Sequence, residues 1–224
     1  MTGRRPDDGI VVLVSGRGSN LRAIHEHICS GAVPAEIRAV VSDRPQAAAL
    51  TWAARQGLTC AALAPSDFPD RESFDEALAD LLTGYDPALV ALAGFMRILS
   101  PAFVDQFEGR MLNIHPSLLP RHRGLRTHRK VLASGESEHG ASVHFVTREL
   151  DGGPVVIQAR VPVHDGDDEA ALAARVLVQE HRIYPRAIDW FVSGRLQYRG
   201  GAAWLDGRRL ESPVIVDMGN EIAA

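Results

Sequence analysis

Asn113 and His115 stand one residue apart in the stretch NIHPSLLPRHRG, residues 113–124. On a strand, alternate residues share a face, so the amide and the imidazole would project side by side. A ring that exchanges a proton near neutral pH, next to a carboxamide that donates hydrogen bonds, suits chemistry that builds charge on an oxygen. A carboxylate would complete such a set. ELDGGPV, residues 149–155, offers Asp151 ahead of two glycines. An Asp near a His holds the ring and favours its charged form, although Asp-Gly-Gly serves a tight turn equally well. No nucleophile accompanies the three, because Ser117, Cys29 and Cys60 have no base partner at a telling spacing. The nine histidines form no convincing metal set. His25 and His27 diverge on a helix, and His122 and His128 flank flexible-looking sequence. Direct group transfer between two bound substrates, with acyl chemistry as the natural case, fits these residues.

A second constellation lies earlier. SGRGSN, residues 15–20, falls between an apolar run and an amphipathic one. Gly16 and Gly18 let the backbone approach a ligand closely. Ser19 or Asn20 is expected to cap the helix that follows, whose free N–H groups and positive dipole end suit a phosphate. No GK[ST] follows, and position 21 is Leu where G-x-G-x-x-G needs glycine, so a dinucleotide cofactor is not indicated.

The elements that must position these residues follow an alternating plan. IVVLV (10–14), IRAVV (37–41), TCAALA (59–64), ALVALAG (88–94) and RMLNIH (110–115) read as strands. LRAIHEHICSG, AAALTWAARQG, RESFDEALADLLTGY and PAFVDQF read as the helices between them. Continuous apolar strands alternating with helices predict parallel βαβ units. After residue 120 the pattern changes to two strands with no helix between them, ASVHFVT (141–147) and PVVIQARVPV (154–163), an expected antiparallel pair. A long helix containing Pro185 and an Asp-Gly hairpin in AAWLDGRRL follow. The expected fold is α/β: a doubly wound, mostly parallel sheet with a Rossmann-like N-terminal half, an antiparallel extension and a long C-terminal helix. In such sheets ligands bind beyond the carboxyl ends of the strands. Gly16–Asn20, Gly94–Leu99 and Asn113–His115 can therefore converge on one crevice.

Composition bounds the partners. The 224 residues carry a net charge of −4, with 46% hydrophobic and 23% charged residues, and the pI is about 6.1. These are ordinary globular values, and they argue against a nucleic-acid surface. Two cysteines make no disulfide framework, so a reducing compartment is expected. Pro6, Asp7 and Asp8 interrupt any apolar signal core, and IVVLV is too short to span a bilayer. The reading is a cytoplasmic protein that binds neither membrane nor nucleic acid.

VLVSGRGSNL, LAGFMRILSPAF, LNIHPSLLP, EHGASVHFVTRELDGGPV and QEHRIYP occur in that order between about residues 10 and 210. Together they resemble the folate-dependent phosphoribosylglycinamide formyltransferase family. The resemblance implies one domain over 1–224, with a phosphate-binding half at about 10–100, a folate-binding and catalytic half at about 101–210, and a tail from 211. It implies transfer of a formyl group from 10-formyltetrahydrofolate to the amine of glycinamide ribonucleotide, with no metal; the partners expected are small-molecule substrates, and a monomer or homodimer is equally compatible with the sequence. It makes Asn113, His115 and Asp151 the catalytic trio. It assigns the nucleotide to Gly18, Ser19, Asn20, Gln179 and Glu180. It assigns the folate to Arg71, Met96, Arg97, Ile98, Leu99, Asn113, Thr147, Arg148, Glu149, Leu150 and Asp151. Arg17 and Arg123 depart from the family's usual small polar residue and proline. Methionyl-tRNA formyltransferase would need a further tRNA-binding domain and a more basic surface. A formyltetrahydrofolate hydrolase would carry an extra regulatory domain. A non-catalytic folate or nucleotide sensor on the same fold remains a different class of reading, which the intact trio disfavours. Leu119–Pro120 is a candidate cis bond.

Overall fold

A computed structural model describes residues 9–31 and 35–217. The interrupted Pro6–Asp8 stretch and the last seven residues of the tail lie outside these. Five strands build the parallel part of the sheet: β1 (Gly9–Val14), β2 (Glu36–Ser42), β3 (Cys60–Ala62), β4 (Leu89–Leu92) and β5 (Met111–His115). Helices α1 (Ser19–Cys29), α2 (Ala48–Arg55), α3 (Arg71–Gly84) and α4 (Pro101–Gln106) connect them. Then come α5 (Thr127–Ser134), β6 (Glu138–Phe145), β7 (Val155–Pro162), α6 (Glu169–Val192), β8 (Leu196–Arg199), β9 (Ala202–Leu205), β10 (Arg208–Arg209) and β11 (Val214–Val216).

The main sheet runs β11-β7-β6-β5-β4-β1-β2-β3, and β8 to β10 form a separate three-stranded sheet. β1 pairs in parallel with both β2 and β4. The strand order therefore reverses between β1 and β4, the place where a doubly wound sheet opens a crevice. β5 pairs antiparallel with β6, and β6 antiparallel with β7, as the helix-free spacing predicts.

β1 is buried along its whole length because alternate side chains enter two different cores. Ile10, Val12 and Val14 join Leu21 and Ile24 of α1 and Val176 and Ile183 of α6 on one face. Val11 and Leu13 join Phe74 and Leu78 of α3 and Phe103 of α4 on the other. Capping side chains set the helix starts. Asp70 accepts from the Ser73 N–H, Ser100 from Phe103 with Pro101 at the first turn, and Asp168 from Ala171.

The structure corrects the sequence reading at four places. Neither Ser19 nor Asn20 caps α1; the cap position is Gly18, with no side-chain cap bond, because the Asn20 side chain is turned inward. The flexible-looking sequence that His122 and His128 flank runs into α5, two turns of helix introduced by Arg126 at φ 59°. β8 was not expected. The tail from 211, to which no element was assigned, supplies β11, which pairs in parallel with β7 at the sheet edge. The Asp206–Gly207 turn has positive φ at both residues, 51° and 74°, as a two-residue hairpin needs. The Leu119–Pro120 bond is cis.

One hydroxyl ties the long helix to the sheet. Tyr184 of α6 is fully buried, and its Oη lies 3.0 Å from the Leu92 carbonyl and 2.9 Å from the Leu112 carbonyl, on β4 and β5. Its single proton serves both acceptors. Tyr184→Phe would leave those carbonyls buried without it, at a cost of about 1–3 kcal/mol. The expected result is a lower denaturant midpoint at unchanged slope; an unchanged midpoint would show the hydroxyl idle.

Candidate active site

The trio converges at the carboxyl end of β5. Asn113 and His115 flank Ile114 on this strand, and the ring of His115 is buried. Its Nδ1 lies 3.5 Å from Asp151 Oδ2. Its Nε2–H donates to the His122 carbonyl at 3.1 Å. Both ring nitrogens thus face acceptors.

Asp151 reaches the ring through its backbone. It adopts φ 49°, a left-handed conformation in which Asp is one of the few tolerated side chains. Gly153 follows because a Cβ there would stand 1.9 Å from the Phe145 carbonyl. The Asp-Gly-Gly turn and the approach of Asp151 to His115 are therefore one arrangement. Asp151 Oδ2 also accepts the Gly124 N–H at 2.8 Å, which fastens the segment after the Pro120 turn. Arg123 reinforces that fastening through an ion pair with Glu149.

His144, which the sequence reading passed over, sets the direction of the Asn113 amide. β5 and β6 place the two residues opposite each other. His144 Nδ1 is 2.9 Å from the Phe145 carbonyl, which can only accept, so Nδ1 carries the proton. Burial pushes the ring's pKa down to about 4, so at neutral pH Nε2 keeps its lone pair. Asn113 Nδ2 donates to it at 3.1 Å. The opposite strand is nearly silent in sequence, since the register that pairs 113 with 144 is set across the long connection through α5 that separates the two strands.

The cavity beside the trio measures about 100 Å³ and is lined by Arg97, Ile98, Leu99, Asn113, His144 and the loop Thr147–Asp151, which includes Arg148, Glu149 and Leu150. Most of the predicted folate residues thus meet in one place. Arg97 adds a buried Nε without a hydrogen-bond partner among the described residues, and its guanidinium stacks 4.4 Å over Phe74. Two expected residues do not line the cavity. Arg71 opens α3 and faces Asp75 at 3.8 Å. Met96 is exposed, with its N–H on Ser15 Oγ.

The glycine loop joins α6. Asn20 Nδ2 donates to Glu180 Oε2 at 2.7 Å, both residues being buried. Burial raises the Glu180 pKa, and the Asn20 bond opposes that rise. Gln179 turns away, accepting from Arg182 at 3.0 Å. Gly18 is required for packing: at φ 75°, an added Cβ would stand 2.7 Å from Ala49 Cβ, whereas Gly16 has open space around it. Among the described residues no group of three His, Cys, Asp or Glu side chains could hold a metal, and no helix is long and apolar enough to cross a membrane.

Two deeply set histidines make stability depend on pH. Burial, the largest cause, holds both His139 and His144 at about 4 against an ordinary 6.5. Between about 6.5 and 4 the unfolded chain binds protons that the folded chain refuses, so stability falls as pH falls through that window. The thermal midpoint is expected to drop across it, and to drop less in His139→Gln. A midpoint level from pH 6.5 to 4 would refute the assignment.

Comparison with known proteins bears on this geometry. Residues 9–188 match the formyl transferase family. The chain is 54% identical over 201 residues to phosphoribosylglycinamide formyltransferase of Escherichia coli (strain K12), covering 90% of this chain and 95% of that protein. The enzyme of the same name from Haemophilus influenzae is 42% identical over the same shares. The solved structure of phosphoribosylglycinamide formyltransferase from Coxiella burnetii superposes with a TM-score of 0.89 at 46% identity, covering 92% of this chain and 98% of that one.

Proposed function

From the fact that the chain belongs to the formyl transferase family, we infer how its residues divide the work. It is an enzyme of formyl transfer that acts on glycinamide ribonucleotide in purine biosynthesis, with a folate-type formyl donor. The finer reading is that 10-formyltetrahydrofolate gives its formyl group directly to the substrate amine, and that Asn113, His115 and Asp151 carry the transfer. The observation behind it is the joint approach of these three side chains at the end of β5, beside a cavity whose walls include both apolar groups and Arg97.

The uncharged amine attacks the formyl carbon, and charge builds on the formyl oxygen of a tetrahedral adduct. Asn113 Nδ2, aimed by His144, donates one hydrogen bond to that oxygen. His115, as imidazolium, donates a second through Nε2, with the oxygen taking the place of the His122 carbonyl. Asp151 faces Nδ1, holds the ring in plane and balances its positive charge. The amine's proton passes by way of Asp151, through a water, to the departing folate nitrogen. Much of the rate comes from holding amine and formyl carbon together.

Gly18, Ser19 and Asn20 hold the substrate phosphate at the start of α1, where the main-chain N–H groups have no side-chain cap. Glu180, linked to Asn20, contacts the glycinamide end. Arg97, Ile98, Leu99 and Thr147–Asp151 hold the folate. Their cavity of about 100 Å³ is smaller than the roughly 300–1,000 Å³ of sites that enclose ligands of that size. Leu150, half exposed on the 147–151 loop, moves aside when the donor enters. Within the fold, residues from about 10 to 100 serve the nucleotide and those from 101 to 210 the donor.

Removing one oxyanion donor typically costs about 10²–10³ in kcat. Asn113→Ala and His115→Ala are each expected to lose that much with little change in KM; near-wild-type turnover would remove the residue from the mechanism. Asp151→Asn is expected to lose turnover and alter the pH–rate profile. The broader test mixes the protein with 10-formyltetrahydrofolate, with and without glycinamide ribonucleotide. Formyl transfer only with the amine supports the reading, and release to water without it overturns it.

A further inference from the structure

A cavity of about 1060 Å³ lies apart from the one beside the trio. It is a groove between α1 and α6. Ser19, Ala23, Glu26 and Ser30 mark its α1 wall at the three- and four-residue spacing of one helix face, and Leu177, His181 and Pro185 mark the α6 wall. The groove begins at Ser19, the phosphate loop, and runs to Ser30, the far end of the helix.

Its charge is one-sided. Arg17 and Arg22 line it with Arg182, which donates to Gln179, and Arg186, which stacks over Trp190, and among the described lining residues Glu26 is the only carboxylate. Arg22 is held in place over the Trp52 ring at 5.4 Å. Two histidines complete the polar lining, and each leaves a nitrogen in need. His27 Nε2 and His181 Nε2 are buried without a hydrogen-bond partner among the described residues. Buried polar atoms ordinarily find partners, and two such atoms lining one cationic groove fit the oxygens of an anion.

We propose that this groove is a second anion site, continuous with the phosphate loop, which takes a chain of linked phosphates such as a nucleoside triphosphate or inorganic polyphosphate carries. The inference rests on the reading that Gly18–Asn20 hold the substrate phosphate. A single phosphate at Ser19 cannot reach His27, because eight residues of helix separate them by about 12 Å. A phosphate chain laid from Ser19 toward His27 meets Arg22 and the unpartnered His27 Nε2, and passes the carboxylate of Glu26 on the same wall. Arg17 and Ser19 belong to both the loop and the groove, so a bound chain excludes the substrate.

The test is inhibition of formyl transfer by tripolyphosphate, ATP, inorganic phosphate and ribose 5-phosphate, each against varied glycinamide ribonucleotide. Tripolyphosphate and ATP are expected to compete, with inhibition constants at least about tenfold below that of inorganic phosphate, the effect of one further charge-assisted bond. Arg22→Gln, alone and with His27→Leu, should raise those constants by about tenfold while leaving kcat and the KM for glycinamide ribonucleotide near wild type. ATP matching tripolyphosphate would show that the groove reads phosphates alone; ATP binding tighter would favour a nucleotide as its source. Tripolyphosphate no better than inorganic phosphate, or an effect untouched by the substitutions, overturns the proposal. Ribose 5-phosphate separates the two readings. If it competes while tripolyphosphate gains nothing, only the groove falls; if it fails to compete, the phosphate-loop reading falls.

Discussion

Asp151 accepts the Gly124 N–H through one oxygen, which also faces His115, and its other oxygen lies 3.7 Å from His144. Three separate segments therefore meet on one carboxylate: the end of β5, the stretch after the Pro120 turn and strand β6. Its left-handed backbone allows this, and the two glycines after it leave room for the Phe145 carbonyl and the Glu149 side chain. A carboxylate so enclosed needs donors, since a buried charge without them is costly, and the Gly124 N–H supplies one while His115 Nδ1 lies beside the same oxygen. The same need that stabilises the turn also places the charge against His115. The turn and the approach to His115 draw on one set of contacts.

Behind that cluster, a second buried polar network sets the direction of the chain. Ser142 Oγ donates to the Ser117 carbonyl at 2.6 Å and accepts from the Leu119 N–H at 3.0 Å. Gln158 Nε2 reaches the Leu119 carbonyl at 2.7 Å. β6 and β7 thus hold the proline-punctuated turn from below, so that His122 and Gly124 come back over the site. The antiparallel pair is the platform on which the parallel half presents its strand ends, and Tyr184 clamps α6 beneath both β4 and β5.

Much of this was legible in the chain itself, and the reasons are specific. β1 is buried on both faces, so IVVLV reads without ambiguity. The absence of a helix between 147 and 154 announced the antiparallel pair. Asn113 and His115 share a face by parity alone. What escaped was decided by tertiary contact. α5 carries His128, Arg129 and Lys130 in its short run, a weak amphipathic signal; Val131 packing into the core holds it. β11 has three residues and exists because β7 offers an edge. Asn20 looks like a cap, but Glu180, 160 positions away, takes its amide. His144 acquires its meaning from a strand register that no local pattern encodes.

The position of β1 carries a consequence for biogenesis. Ile10 lies opposite Ile37 on one side and opposite Leu89 on the other. This fully buried strand therefore acquires its second neighbour only after most of the first half has been synthesised. Until then a β-branched edge stands open at the ribosome, the kind of surface that templates aggregation. Pairing across so long a loop is slow in itself. A nascent chain of this design gains most from a chaperone during the interval between the making of β2 and the making of β4.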